Sequence, residues 1–312
     1  MSDAGAEVAE GTVTPTPPDR RRSLGVRRRL VPYYLLSPAG LFLLLFFLVP
    51  LGLMLYTSLQ SGGLLSGGFR FTWAFNNYTD VLGQYQTQFV RSLVYSIIVT
   101  VAALLLAYPM TYWIAFYAGK WKSSLLLLIL VPFFVSFVIR TVQWKFILGD
   151  TGPILGPLKD IGLLPQGFRI LATPFAVVAG ITYNFLPFTA LPLYVALERI
   201  DKRLVEAAKD LYSSRWEAFR RVVWPLSLPG VFAAFLLTFV PATGDYVNAS
   251  LLGGPGTTMI GNIIQEKFLT ELDYPEAAAL SVILMLVMLV LATVYARILG
   301  TEDVQRAAGA NA

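Results

Sequence analysis

Glu206-Ala207-Ala208-Lys209-Asp210-Leu211-Tyr212-Ser213-Ser214-Arg215-Trp216-Glu217-Ala218-Phe219-Arg220-Arg221-Val222-Val223-Trp224-Pro225-Leu226-Ser227-Leu228-Pro229-Gly230 is the longest well-charged stretch of this chain to lie between two apolar runs. Its pattern is that of a helix lying on a surface. Ala207, Ala208, Leu211 and Tyr212 recur at three- and four-residue spacing, which gathers them on one helical face. Arg215, Arg220 and Arg221 place positive charge close to where the next apolar run begins. Pro225 and Pro229 cannot donate a backbone hydrogen bond and are expected to end the helical pattern. On physics alone, this is an interfacial helix joining two membrane spans.

The composition outside this stretch supports the same setting. Of 312 residues, 56% are hydrophobic and 14% charged. That balance marks a polytopic membrane protein rather than a soluble domain. The sequence holds no His and no Cys, which excludes disulfides, His- or Cys-ligated zinc and His- or Cys-based catalysis. The net charge of +5 calls for no nucleic-acid partner, because basic residues concentrate in the loops that topology holds inside.

Residues 1–19 are polar, acidic and rich in Pro and Thr, and they read as a disordered tail. An Arg cluster follows at Arg20–Arg22 and Arg27–Arg29, so residues 1–30 form a cytoplasmic tail with a basic end. Six apolar runs come next, near Leu35–Leu59, Ser92–Ala118, Ser123–Leu148, Leu171–Leu197, Leu228–Leu252 and Ala277–Leu299. Each is long enough, at about 1.5 Å per residue, to cross a hydrocarbon core of about 30 Å. The first run is too long for the apolar part of a secretory signal. With the N-terminus inside, the inner segments collect most of the basic residues. The outer segments and span ends hold only Arg70, Arg91, Arg140, Lys145, Lys159, Arg169 and Lys267. The expected fold is therefore all-α, with six transmembrane helices and both termini cytoplasmic. The transmembrane domain covers 31–300, a cytoplasmic loop covers 200–226, and 301–312 is a second cytoplasmic tail.

The residues that are costly in lipid are the informative ones. No Gly-x4-Gly-Lys-Ser/Thr phosphate loop is present, so the chain is not expected to hydrolyse ATP, and any energy for transport must come from a partner or an ion gradient. An ionisable side chain deep in a span costs about 2.5–3.5 kcal/mol on insertion scales and usually faces protein or water. Asp245 in the fifth span and Arg140 in the third run to similar depth. They either form a buried pair that fixes helix packing, or Asp245 faces a path and attracts a cation. Tyr183 and Asn184 in the fourth span can offer neutral hydrogen bonds to that path, or can simply join helices. Pro109, Pro132, Pro187, Pro192 and Pro241 fall inside spans, where each frees a carbonyl that neighbouring protein or water must satisfy. Asn77-Tyr78-Thr79 and Asn248-Ala249-Ser250 match a glycosylation sequon, a three-residue pattern that arises by chance.

The order Glu206-Ala207-Ala208, three residues, Tyr212, nine residues and then Val222-Val223-Trp224-Pro225 resembles the EAA loop of ABC importer permeases. Tyr212 stands where that family usually has Gly, and Trp224 where it usually has Leu. The resemblance implies the type I ABC importer permease fold in a bacterial-type cell membrane. It makes the loop a coupling helix, with Glu206, Ala207, Ala208, Asp210, Leu211, Tyr212 and Trp216 facing an ATPase subunit. It also implies a second permease subunit, two ATPase subunits and an extracytoplasmic substrate-binding protein around this chain in the bilayer. The chain itself would hold no cofactor, with ATP and Mg bound by the partner ATPase.

A narrower likeness rests on Pro132–Thr141, on Tyr183-Asn184-Phe185-Leu186-Pro187-Phe188 with Leu191-Pro192-Leu193-Tyr194, on Phe239–Val247, on Leu251–Gly254 and on Met259-Ile260-Gly261-Asn262. These are similar to permeases of spermidine/putrescine importers, where Asp245 replaces a frequent Glu. The implied substrate path includes Asp245, Tyr246, Tyr183, Asn184 and Arg140. An anionic outer mouth would suit polyamine cations, and the last outer loop carries Glu266, Glu271, Asp273 and Glu276 against Lys267. A merely solvated acidic loop explains the same charges. Tyr108 and Tyr112 add aromatic faces that either meet a cation or pack. The outer segment 62–91, with Trp73, Phe75 and Tyr78, either faces a binding protein or links spans. Two rival functions stay open: the same class with another cargo (a different organic cation, an oxyanion or a metal complex), and a stand-alone secondary transporter.

Overall fold

The computed structural model describes residues 35–63, 67–212 and 214–309. The expected N-terminal tail with its Arg cluster lies outside the described residues. The chain divides into two units, Met1–Leu53 and Met54–Ala312. Helix α1 is described from Leu35, in the first unit, to Ser58 and includes one π-type turn, Leu44–Leu48. Its residues Leu35–Leu48 are exposed all round and almost entirely apolar, as a helix meant for lipid contact must be.

The second unit opens with a two-stranded antiparallel hairpin, β1 (Gln60–Gly63) and β2 (Gly68–Phe71), which pairs Gln60 with Phe71 and Gly63 with Gly68. The sequence analysis has only a loop here. Asn77 anchors the hairpin, donating to the carbonyls of Ser58 and Gln60, both at 2.9 Å. Helix α2 (Asn76–Tyr117) starts sixteen residues before the expected Ser92. Its added stretch is polar on the outside, but Val81, Tyr85 and Phe89 form a buried face against Ile260, Ile263, Ala279 and Leu280. That three- to four-residue apolar spacing is what makes it helical beyond the span.

The third apolar run, expected as one span over Ser123–Leu148, is broken. Helix α3 (Lys122–Leu130) tightens into a 3-10 turn at Val131–Phe134, and α4 (Phe137–Ile147) leaves at 92° to it. Val135 and Ser136 are extended between the two. A short helix α5 (Leu155–Asp160) follows. Helix α6 (Pro174–Glu198) has Pro at its first turn, and the Thr173 hydroxyl caps it by accepting from the Ala176 amide at 3.3 Å. The surface helix α7 (Lys202–Tyr212) comes next.

Helix α8 runs unbroken over Arg215–Thr243, which corrects the expectation that Pro225 and Pro229 end the helical pattern. Phe219–Val223 form a π turn, and the widened turn makes room for the Pro225 ring one turn on, where an α-helix would clash. Helix α8 also ends nine residues short of the expected Leu252. A turn at Gly244-Asp245 separates it from α9 (Val247–Leu252). Helices α10 (Ile260–Leu269) and α11 (Tyr274–Gly309) complete the chain.

Helices α2, α6 and α8 pack on one another as the centre of the unit. Lipid tails give little hydrophobic drive for such packing, so small residues and interhelical hydrogen bonds carry it. Thr189 and Thr238 share a hydroxyl contact of 2.7 Å, as do Tyr108 and Ser227, and Thr243 donates to Ser96 at 2.9 Å. Gly230 marks where α8 comes closest to α6: a Cβ there would run into Ala196 and stand 3.0 Å from the Pro192 carbonyl oxygen. Gly230→Ala should therefore force the two helices apart, at about 1–3 kcal/mol. Thermal unfolding of the purified chain should show a melting point several degrees lower, and an unchanged melting point would contradict this packing.

Candidate functional site

The break in the third span and the turn after α8 bring four polar side chains to one place. Thr141 on α4, Asn184 on α6 and Asn248 on α9 are each fully buried. The Asn184 Nδ2 donates to Thr141 Oγ1 and to Asn248 Oδ1, both at 3.0 Å, and Thr141 donates to Asn248 Oδ1 at 3.2 Å. Asp245, 7% exposed, closes the chain. Its carboxylate accepts from the Asn248 backbone amide at 2.8 Å and from Asn248 Nδ2 at 2.9 Å, as a carboxylate does at the start of a helix. Asn184 Oδ1 is buried without a hydrogen-bond partner, so an acceptor is left open in the middle of the cluster. Gly180 sets the approach of α9 to α6. A Cβ there would run into Leu252 and lie 3.0 Å from Asn248 Oδ1.

Arg140 lies one residue from Thr141 but faces elsewhere. It is 7% exposed and sits over the rings of Phe137 and Phe133, at 5.7 and 6.0 Å to their centroids. It lines a cavity of about 450 Å³ with Phe133, Phe134, Phe137, Phe185 and Phe188, and Asp245 is not in that wall. Among the described residues, neither Arg140 nor Asp245 belongs to an ion pair. The buried-pair alternative is thus not the arrangement found. Of the other residues expected on the path, Tyr183 packs edge-on to Trp144 at 5.3 Å. Tyr246 is exposed, and its carbonyl accepts from Asn262. Tyr108 and Tyr112 pack against Phe219 near the α7 end of the bundle.

At that end, the amphipathic pattern of α7 sorts its residues as its spacing requires. Val205 is buried in a cluster with Ala115, Leu197, Ile200 and Val223, and Ala208 is buried as well. Glu206, Ala207, Asp210 and Leu211 are exposed, Leu211 at 78%. Ala207 and Ala208, grouped by spacing, therefore point to opposite environments. The helix stops at Tyr212, so the chain breaks there without the customary Gly. Ser214 begins the next helix by accepting from the Glu217 amide at 3.4 Å. Trp216, 69% exposed, belongs to the first turn of α8 rather than to the loop helix, and it lines a cavity of about 410 Å³ with Ser214, Glu217, Arg220 and Arg221.

Residues 29–301 match the model of the family described as binding-protein-dependent transport system inner membrane component. The chain belongs to that family. Among its relatives is the spermidine/putrescine transport system permease protein PotB of Haemophilus influenzae, 38% identical over 257 residues, which cover 82% of this chain and 89% of the relative. PotB of Escherichia coli K12 is 37% identical over 73% of this chain and 83% of its own length. The sn-glycerol-3-phosphate transport system permease protein UgpA of Escherichia coli O6:K15:H31 is 30% identical over 87% of this chain and 94% of its own. In fold, the chain is similar to a bacterial ABC transporter involved in import of the acidic polysaccharide alginate. The TM-score is 0.65 with 19% identity, covering 89% of this chain and 98% of that one. The same transporter has been solved in complex with an alginate pentasaccharide-bound periplasmic protein, with a TM-score of 0.64 and 19% identity over 89% of this chain and 96% of that one. The protein is thus a multi-pass membrane permease of the ABC importer type.

Sequence reasoning missed Thr141, Asn248 and Gly180 in this permease. The Asp-x-x-Asn spacing of Asp245 and Asn248 was the usable signal, because it is that of a side chain capping the helix that follows. The acidic outer loop is committed largely to structure. Lys267 pairs with Glu271 at 2.7 Å and with Glu276 at 2.9 Å, and Asp273 Oδ1 accepts from the Glu276 amide at 3.3 Å. Burial opposes the charge on Lys267, but hydrogen bonds to Glu271 and Glu276 outweigh it and hold the ammonium above the usual lysine range. Because the folded value is the higher one, this contribution is fully present below the unfolded value of 10.5 and is lost only as pH climbs through the folded one. Lys267→Met should lower the melting point more than Glu271→Gln at neutral pH, since it strands two carboxylates, whereas Glu271→Gln leaves the ammonium paired with Glu276. Equal shifts would contradict the bridging role.

Proposed function

We propose that this chain is one of two membrane subunits of an ABC importer whose cargo is a polyamine such as spermidine or putrescine. The observation that carries the cargo is the 38% identity to a spermidine/putrescine permease over most of both chains. Membership of the family alone does not set it, because UgpA serves sn-glycerol-3-phosphate. A second permease completes the path, and an extracytoplasmic binding protein delivers cargo. Two ATPase subunits bind ATP and Mg and do the hydrolysis, while this chain holds no cofactor and performs no chemistry of its own.

The coupling route follows from packing. An ATPase surface would grip the exposed Glu206, Ala207, Asp210 and Leu211, with Trp216 and the Tyr212 position beside them. The opposite face of α7 is buried against Leu197 and Ile200, at and just past the end of α6, and Val223 of α8, so a push on α7 moves those two helices. Helix α6 carries Tyr183 and Asn184, and α8 ends at the Gly244-Asp245 turn. Their displacement would switch access to the path, where the Asp245 carboxylate and the open Asn184 oxygen can receive an ammonium group. This orientation puts α7 and both termini on the cytoplasmic side, as the distribution of basic residues requires.

Reconstitution of the complete complex with its binding protein in vesicles tests the reading. ATP-dependent accumulation of labelled spermidine is expected. Accumulation of another cargo in preference would overturn the polyamine assignment, and gradient-driven flux through this chain alone would overturn the ABC mechanism.

A further inference from the structure

From the cavity beside the broken span we infer a carboxylate-binding site, occupied in the assembled importer by an acidic side chain of the second permease subunit; this rests on the two-permease reading above. Two independent features gather positive charge beside the same space. Arg140 is more than nine-tenths buried, and its Nε and Nη1 atoms, both inaccessible, have no hydrogen-bond partner. Its surroundings are aromatic rings, which satisfy its charge only weakly. The second feature is the start of α4. Ser136 makes no side-chain cap there, and the first backbone amide bonded back is that of Arg140, to the Ser136 carbonyl. The amides of Phe137, Val138 and Ile139 therefore point out of the helix end, where an anion is favoured. Ser136, Phe137 and Arg140 all line the cavity.

Depth decides what the anion is attached to. Asn184, bonded to Thr141 beside Arg140, stands fourteen residues before Glu198, which pairs with Lys122 at the α7 end of the bundle. At 1.5 Å per residue that is about 21 Å into a hydrocarbon core of about 30 Å. Phe188, in the same cavity wall, is about 15 Å in by the same measure. That level lies inside the hydrocarbon core rather than among the headgroups at either surface. Phe133, Phe134, Val135, Val138 and Ile139 around the opening are exposed and apolar, so the rim suits a membrane helix rather than water. A helix of the second permease, carrying one Asp or Glu at that depth, meets both the charge and the rim.

The test uses the whole complex, purified through a tag on this chain, with the second permease in the eluate quantified against it. Wild type shows first whether a second permease is present; its absence would sink the two-permease reading before any variant is made. Arg140→Glu and Arg140→Leu should each reduce the recovered second permease about tenfold or more, with this chain still inserted in the membrane. An acidic-to-arginine substitution in a span of the second permease should restore assembly with Arg140→Glu. Normal assembly of both variants overturns the inference, and a loss of uptake alongside it would assign the anion to cargo or a small ion. Loss of assembly that no such reversal restores also overturns it, because Arg140 would then serve only its own chain.

Discussion

Asp245→Asn should reduce ATP-driven uptake of labelled spermidine by the complete importer about ten- to hundredfold. That is the range given by losing one charged hydrogen-bonding interaction of about 1.5–3 kcal/mol. The substitution removes the one carboxylate in the buried cluster, and it also sets an amide against Asn248 Nδ2, which now donates to Asp245 at 2.9 Å. A comparison separates charge from architecture. Asn248→Ala takes away the Nδ2 hydrogen bond to Asp245 and the bonds to Thr141 and Asn184, but keeps the backbone amide on the carboxylate and the negative charge. If the charge serves a cationic cargo, Asp245→Asn should impair uptake far more than Asn248→Ala does, even where the two lower the melting point alike. Uptake by Asp245→Asn at the wild-type rate would remove the carboxylate from the path.

Glu206→Lys should abolish coupling and leave the fold intact. Glu206 is exposed on α7, and surface substitutions of this kind usually change stability by no more than about 0.5 kcal/mol. Reversing a charge at an interface with the ATPase is far more costly. Uptake should fall at least about tenfold, with ATP hydrolysis by the complex persisting but no longer stimulated by cargo-loaded binding protein. Insertion of the chain, measured as its amount in washed membranes, should not change. A variant that transports normally would take Glu206 out of the coupling surface.

Much of this architecture was legible in the sequence, because hydropathy is summed over long windows. The fourth span came within three residues at each end, and the first did so at its C-terminal end. What failed was local. Pro132 to Phe137 is apolar throughout except for Ser136, so nothing in hydropathy marks the 92° break at Val135-Ser136. The early start of α2 was hidden because residues 76–91 are too polar for a span, although Val81, Tyr85 and Phe89 already keep helical spacing. Pro225 misled in the other direction, since a π turn absorbed it. Asp245 and Asn184 were both singled out in the sequence and are linked in the structure through Asn248, whereas the pairing of Asp245 with Arg140 is not found. Asn248, which joins them, sat in a pattern dismissed as chance.

The coupling claim is tested most directly by a photoactivatable cross-linker placed at Leu211, 78% exposed on α7, in membranes containing the native complex. The account predicts a covalent adduct with the ATPase subunit whose yield changes when ATP is added. Efficient labelling of lipid or of no protein, in a complex that still transports, would contradict it.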